Sequence, residues 1–237
     1  MKKLLLSAFA LCFAGTIAAQ EAPLWMRYCA LSPDGTTIAF TYKGDIYTVP
    51  VNGGKAAQIT TNAAHDTHPV WSPDGKQIAF ASDRMGSMDI FVVDREGGIP
   101  KRLTTHSGNE TPVAFKDADH ILFLANVMPS AEDAQFPSGQ FQQVYEVSTT
   151  GDRPVMFSSM PMEDISINKT GNALLYHDKK GYEDPWRKHH TSSITRDIWL
   201  CSLDGKRSYR KLTSFNGEDR TPVWASDGKS FYYLSEE

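Results

Sequence analysis

An all-β fold, a β-propeller of four-stranded antiparallel blades, is what this 237-residue sequence predicts, on three observations. A Ser-Pro-Asp-Gly turn recurs in Leu31-Ser-Pro-Asp-Gly35 and Trp71-Ser-Pro-Asp-Gly75, forty residues apart. Each copy runs into an Ile-Ala-Phe triplet, residues 38–40 and 78–80. Two further β-branched and aromatic runs, separated by a glycine turn, follow each triplet. Four strand-sized runs at this period are the mark of a propeller blade. The 17 glycines and 13 prolines are spread along the chain, as many short strands joined by tight turns require.

The elements follow in order from local chemistry. In the turn, Pro presets φ, Asp bonds back to the backbone and Gly supplies the positive φ that closes a hairpin. The first two strands of each blade are therefore a hairpin. A third copy puts Phe115 in the Trp place and Ile121-Leu-Phe123 in the triplet, with the turn one residue shorter. A fourth aligns Ile167 with Trp71, uses Asn168-Lys-Thr-Gly171 as its turn and continues into Leu174-Leu-Tyr176. The fifth returns to type, with Pro222-Val-Trp224, Ser226-Asp-Gly228 and Phe231-Tyr-Tyr233. Third strands are expected at 45–49, 89–93, 143–147 and 197–201, and fourth strands at 57–60, 101–104, 154–157 and 210–213. The turns between them, Asn52-Gly-Gly54, Glu96-Gly-Gly98, Thr150-Gly151 and Asp204-Gly205, favour positive φ.

The blades then span about 24–64, 65–108, 109–160 and 161–217, with a truncated blade at 218–237. A blade cannot bury both faces alone, so blades stack radially and a ring must close. The expectation for residues 20–237 is a partial propeller, an incomplete ring of about four and a half blades cut from a longer protein.

Met1-Lys-Lys3 followed by an apolar run from Leu4 to Ala19 reads as a signal peptide, residues 1–19. The run is shorter than the roughly 20 apolar residues that span a bilayer, and Ala18-Ala19 suits cleavage before Gln20. Export to the periplasm or medium is expected, with no membrane association after cleavage. The leader takes Lys2 and Lys3 and no acid, so the net charge of −4 becomes −6. That mild acidic excess gives no support for nucleic-acid binding. Cys29 and Cys201 fall in strand positions of distant repeats and read as small buried hydrophobes rather than a disulfide.

Two insertions interrupt the period, at 126–142 and 177–196, and insertions in a propeller map to one rim, where binding resides. The second gathers Arg187, Lys188, His189, His190 and Arg196 around Trp186. It is a candidate basic and aromatic contact for a peptide carboxylate or a neighbouring domain. His189-His190 lacks further ligands at metal spacing, so neither a metal nor another cofactor is expected. There is no Gly-x-Ser-x-Gly elbow, no His-Glu-x-x-His helix and no phosphate-cradling loop, so no catalytic residue is assigned.

The blades resemble the TolB-like propeller repeat, with its Trp-Ser-Pro-Asp-Gly turn, Ile-Ala-Phe strand and closing Arg-Leu-Thr. The segment Trp186-Arg-Lys-His-His190 through Thr195-Arg-Asp-Ile-Trp199, with Tyr28-Cys-Ala-Leu-Ser-Pro-Asp-Gly35, is similar to the N-terminal propeller of exported tricorn-like serine peptidases. The similarity runs from about Pro23 to the end. It implies a six-bladed first propeller followed by a second propeller, a PDZ-like domain and a Ser/His-based catalytic domain. The matching catalytic region would lie beyond Glu237, so no catalytic residue carries over. It also implies peptides or unfolded polypeptide as partners, the downstream protease domains as neighbours, a filtering role for the propeller, and a homo-oligomeric parent. Two other readings are a non-enzymatic TolB-like interaction scaffold and the propeller of a prolyl-oligopeptidase or dipeptidyl-peptidase type enzyme.

Overall fold

A computed structural model describes residues 25–126, 142–179 and 195–237. Its strands form four four-stranded meanders and one hairpin, each sheet ordered as the chain runs. The first blade is β1 (Arg27–Leu31), β2 (Thr37–Tyr42), β3 (Asp45–Pro50) and β4 (Ala57–Gln58). The second is β5 (Asp66–Trp71), β6 (Gln77–Ser82), β7 (Asp89–Asp94) and β8 (Lys101–Arg102). The third is β9 (Glu110–Phe115), β10 (His120–Ala125), β11 (Gln143–Ser148) and β12 (Val155–Ser158). The fourth is β13 (Met162–Ile167), β14 (Ala173–Asp178), β15 (Ile198–Ser202) and β16 (Ser208–Lys211), and the last hairpin is β17 (Asp219–Trp224) with β18 (Phe231–Ser235).

The hairpin turns are built as their chemistry dictates. Ser72 Oγ accepts from Gln77 N at 2.9 Å and donates to Asp74 Oδ1, which in turn accepts from Lys76 N. Ser32 and Asp34 repeat this arrangement. Hydrogen bonds from Ser32 and Thr36 hold the Asp34 carboxyl down at about 2. In the degenerate turns one side chain does both tasks. Asn168 Oδ1 accepts from Asn172 N and Ala173 N, and Asp227 Oδ1 accepts from Lys229 N and Ser230 N.

Two of the first three fourth strands are shorter than predicted, and side chains are the reason. Ile46 N bonds to the Thr60 hydroxyl and Ile90 N to the Thr104 hydroxyl, so the ladder ends at Gln58 and Arg102. The fourth blade's last strand starts and stops two residues early, at Ser208–Lys211, with Thr213 bonding Ile198 N in the same way. The second insertion also starts later than predicted. His177 and Asp178 belong to β14, paired with Glu163 and Met162.

Strand alternation feeds two different cores. Ile78 and Phe80 of β6 pack with Ala39, Ile46 and Ile59 of the first blade, while Ala79 joins Phe115, Ile121 and Phe123 of the third. A third cluster joins Leu122 and Val144 to Met162, Leu174, Tyr176 and Cys201. The second and third blades thus bury both faces, one against the preceding blade and one against the following. Cys201 is buried in that core as expected, but Cys29 is exposed, because no described blade covers the outer face of β1.

First strands of successive blades lie side by side, which puts them at the axis and the fourth strands outside. Most carry a bulge at one equivalent position, where Tyr28, His68, Asp164 and Thr221 take positive φ of 49–55°. Pro112 holds that place in β9, and a ring-locked φ cannot be positive, so there the register shifts differently.

Candidate functional site

In a meander the strand 1–2 and 3–4 turns lie at one rim, and the strand 2–3 loops with the crossings to the next blade lie at the other. Both insertions connect second to third strands, β10 to β11 and β14 to β15, so they share a rim. Of the predicted contact residues, Trp186, Arg187, Lys188, His189 and His190 lie outside the described residues. Arg196 is described, just ahead of β15, and its guanidinium is bound to Glu218 and lies 3.5 Å from Glu163 Oε2.

That pairing is part of a network at the junction between the fourth blade and the β17–β18 hairpin. Glu163 in β13 accepts from Lys179 Nζ at 2.8 Å, just past β14, and bonds His177 Nε2 at 3.2 Å. Lys179 and Arg196 stand on either side of the second insertion, so one carboxylate ties both of its stems. Burial would raise the Glu163 pKa, but the hydrogen bonds from His177 and Lys179 and the Lys179 charge outweigh it and hold it at about 2. Across the junction, Thr221 N bonds His177 Nδ1 at 3.2 Å and the Thr221 hydroxyl donates to Asp164 at 2.7 Å. Trp224 closes the seam, its indole N–H on the Ser166 carbonyl at 3.1 Å.

The same rim carries acids at other junctions, all of them buried except the half-buried Asp45. Third strands start at or just after Asp45, Asp89 and Asp197, and the following first strands begin with Asp66, Glu110 and Asp219. The backbone N–H groups of Asp66 and Glu110 bond Gly44 O and Met88 O of the preceding blade, drawing each acid toward its counterpart. Arg84 takes both oxygens of Asp66, Arg102 pairs with Asp89 at 2.8 Å and Lys211 with Asp197 at 2.8 Å. Glu110 accepts from the Thr104 hydroxyl, and its Oε1 has no hydrogen-bond partner among the described residues. Burial, with the Asp89 charge beside it, pushes Glu110 up to about 7. Gln143 and Met162 replace the acids at the third-to-fourth junction.

Sequence reasoning singled out Arg196 as a contact residue and did not single out Glu163, His177 or Thr221. A signal existed in the repeat alignment, where Glu163 and His177 stand opposite Thr67 and Ala81. Among the described residues no group of three or more His, Cys, Asp or Glu side chains is arranged to hold a metal ion. The arrangement is suited to fixing loops and joining blades.

Comparison with known proteins places this architecture. The family model described as the tricorn protease N-terminal beta propeller domain matches residues 23–237. Tricorn protease homolog 1 of Streptomyces coelicolor is 25% identical over 210 residues, covering 89% of this chain and 19% of that protein. The tricorn protease homolog of Saccharolobus solfataricus is 25% identical over 224 residues, with the same 89% and 19% coverage. This chain therefore spans about a fifth of the length of these two relatives. A solved structure from Agrobacterium tumefaciens assigned as a TolB superposes with a TM-score of 0.62 at 21% identity, covering 90% of this chain and 75% of that one. Blade geometry, repeat chemistry and a family match along nearly all of the sequence agree, and the chain belongs to the tricorn protease N-terminal beta propeller domain family.

Proposed function

We propose that this chain is the scaffold and the peptide access or exit filter of an exported, tricorn-like serine protease. The family match carries the reading. It is supported by the shared rim of the two insertions, which gives the propeller one elaborated face for peptide or domain contact. Trp186, Arg187, Lys188, His189 and His190 are the residues proposed to meet peptide carboxylates or the protease domains there, with Arg196 fixing the loop's stem. Export rests on the leader at 1–19.

The test is made on the protein encoded by the whole reading frame. It should hydrolyse unfolded polypeptide, and residues 20–237 alone should bind such chains without cleaving them. Replacing Trp186 and Arg187 together by alanine should alter the length distribution of the peptides released while single-turnover cleavage of a dipeptide amide is unchanged. A reading frame that stops directly after codon 237, or an unchanged product distribution, would refute the filter. Fractionation of the source cells with N-terminal sequencing should find a mature protein beginning at Gln20 in an exported fraction.

A further inference from the structure

The fourth blade departs from its siblings at two strand-interior positions that face the following hairpin. The pairs Leu31–Ile38, Trp71–Ile78, Phe115–Ile121 and Ile167–Leu174 fix the equivalences between blades. At the place of Thr41, Ala81 and Leu124 the fourth blade has His177, and at the place of Arg27, Thr67 and Thr111 it has Glu163. A titratable ring is thus set where the second strands of the other full blades carry none.

His177 has a side chain only 5% exposed, and each ring nitrogen has a defined role. A backbone N–H can only donate, so Nδ1, which Thr221 N approaches at 3.2 Å, bears no proton. The proton of the neutral ring therefore sits on Nε2 and is donated to Glu163 Oε2 at 3.2 Å. Asp164 Oδ2 lies 3.7 Å from Nδ1 and meanwhile accepts the Thr221 hydroxyl. Asp164 and Thr221 are the two bulge residues of their strands, at φ of 49° and 55°. For a β-branched residue such as Thr221 that conformation is strained and must be held by its surroundings. The bond to His177 is part of what holds it.

We propose that His177 is a proton-operated latch between the fourth blade and the β17–β18 hairpin. A proton taken from solvent onto Nδ1 occupies the lone pair that Thr221 N–H uses, so that bond is lost. The new N–H turns to Asp164, which then divides its acceptance between the ring and the Thr221 hydroxyl. Glu163 and Asp164 flank the resulting imidazolium and compensate its charge. The other charged groups on the elements packed here are Asp178 and Lys179 at the end of β14, Arg196 and Asp197 before β15, and Glu218, Asp219 and Arg220 at the start of β17. Lys179 and Arg196 are engaged with Glu163, and Arg196 with Glu218, so none of the three takes up Nδ1. Imidazole is the side chain whose charge ordinarily changes between about pH 5 and 8. Mild acidification therefore frees the strained Thr221 and loosens the seam beside the second insertion's stems. The latch is independent of what the parent protein cleaves.

The experiment is amide hydrogen exchange at Thr221 in the intact chain at pH 8 and pH 5, corrected for intrinsic rates. Protection should fall about tenfold at the lower pH, the loss of roughly one hydrogen bond. In His177→Gln, whose carboxamide accepts and donates without titrating, protection should be equal at both values. Constant protection in the unmodified chain, or the same fall in His177→Gln, overturns the proposal. Should that variant fail to fold, the imidazole nitrogen spectrum of the unmodified chain decides. Nδ1 bare at pH 8 and protonated at pH 5, with the Thr221 amide resonance shifting in step, supports the latch. Nδ1 already protonated at pH 8 overturns it.

Discussion

At the scale of single residues, the most informative side chain outside the fourth blade is Glu110. Its carboxyl is fully buried, beside Asp89, and burial pushes it up to about 7 from an ordinary 4.5. Because the folded pKa is the higher one, the unfolded chain loses this proton first as pH rises. The resulting penalty is absent below about pH 4.5, builds through the interval and is complete above about 7, where it reaches roughly 3 kcal/mol. Glu110→Gln should therefore stabilise the chain by about 1–3 kcal/mol at pH 8 and leave it nearly unchanged at pH 4, as read by urea unfolding at the two values. At the equivalent place in the first-to-second junction, Arg84 binds both oxygens of Asp66. None of this was legible in the sequence. Asp66 and Glu110 are buried only by neighbouring blades, and the His177–Thr221 bond joins positions 44 residues apart. The αL bulge at His68 was hidden too, since a residue before proline reads as extended.

At the scale of the element, the hairpin turn was the most legible part of the molecule, because its hydrogen bonds are local. Trp71-Ser-Pro-Asp-Gly75 announces its own geometry, and Asn168 and Asp227 show that the backbone amides matter more than the letters that satisfy them. Gly75 has φ of +67°, and a Cβ there would meet only Pro33 at an ordinary 3.7 Å. Gly75→Ala should thus cost only the backbone strain, about 1 kcal/mol, measurable as a shifted urea midpoint with an unchanged slope. Trp71→Ala is expected to cost more, about 3–5 kcal/mol, since it opens the core between the first two blades and removes the indole bond to Ala30 O. A cost below that of Gly75→Ala would mean that the Trp place is not a blade anchor. Strand ends were less legible, because the threonines at 60 and 104 replace ladder bonds with hydroxyl bonds that propensity does not register.

At the scale of the whole molecule, the repeat predicted the stacking of blades, and the three clusters between them realise it. The β17–β18 hairpin presents Val223, Tyr232 and Leu234 to solvent, at 52%, 72% and 57% exposure, where the equivalent Ala79 and Ala81 of the second blade are buried. An apolar strand face of this kind seeks a partner. Residues 20–237 should accordingly self-associate with rising concentration in sedimentation velocity, and Tyr232→Thr with Leu234→Thr should return them toward monomer. A monodisperse monomer at high micromolar concentration would show that this face is covered in solution by the chain itself. The allocation of the two rims also has a practical side. Asn52-Gly-Gly54 and Glu96-Gly-Gly98 open on the rim that carries neither insertion, and open space surrounds Gly53, Gly54 and Gly98. A fluorophore or affinity handle spliced into either turn would report on the protein from behind, leaving the elaborated rim free for whatever it engages.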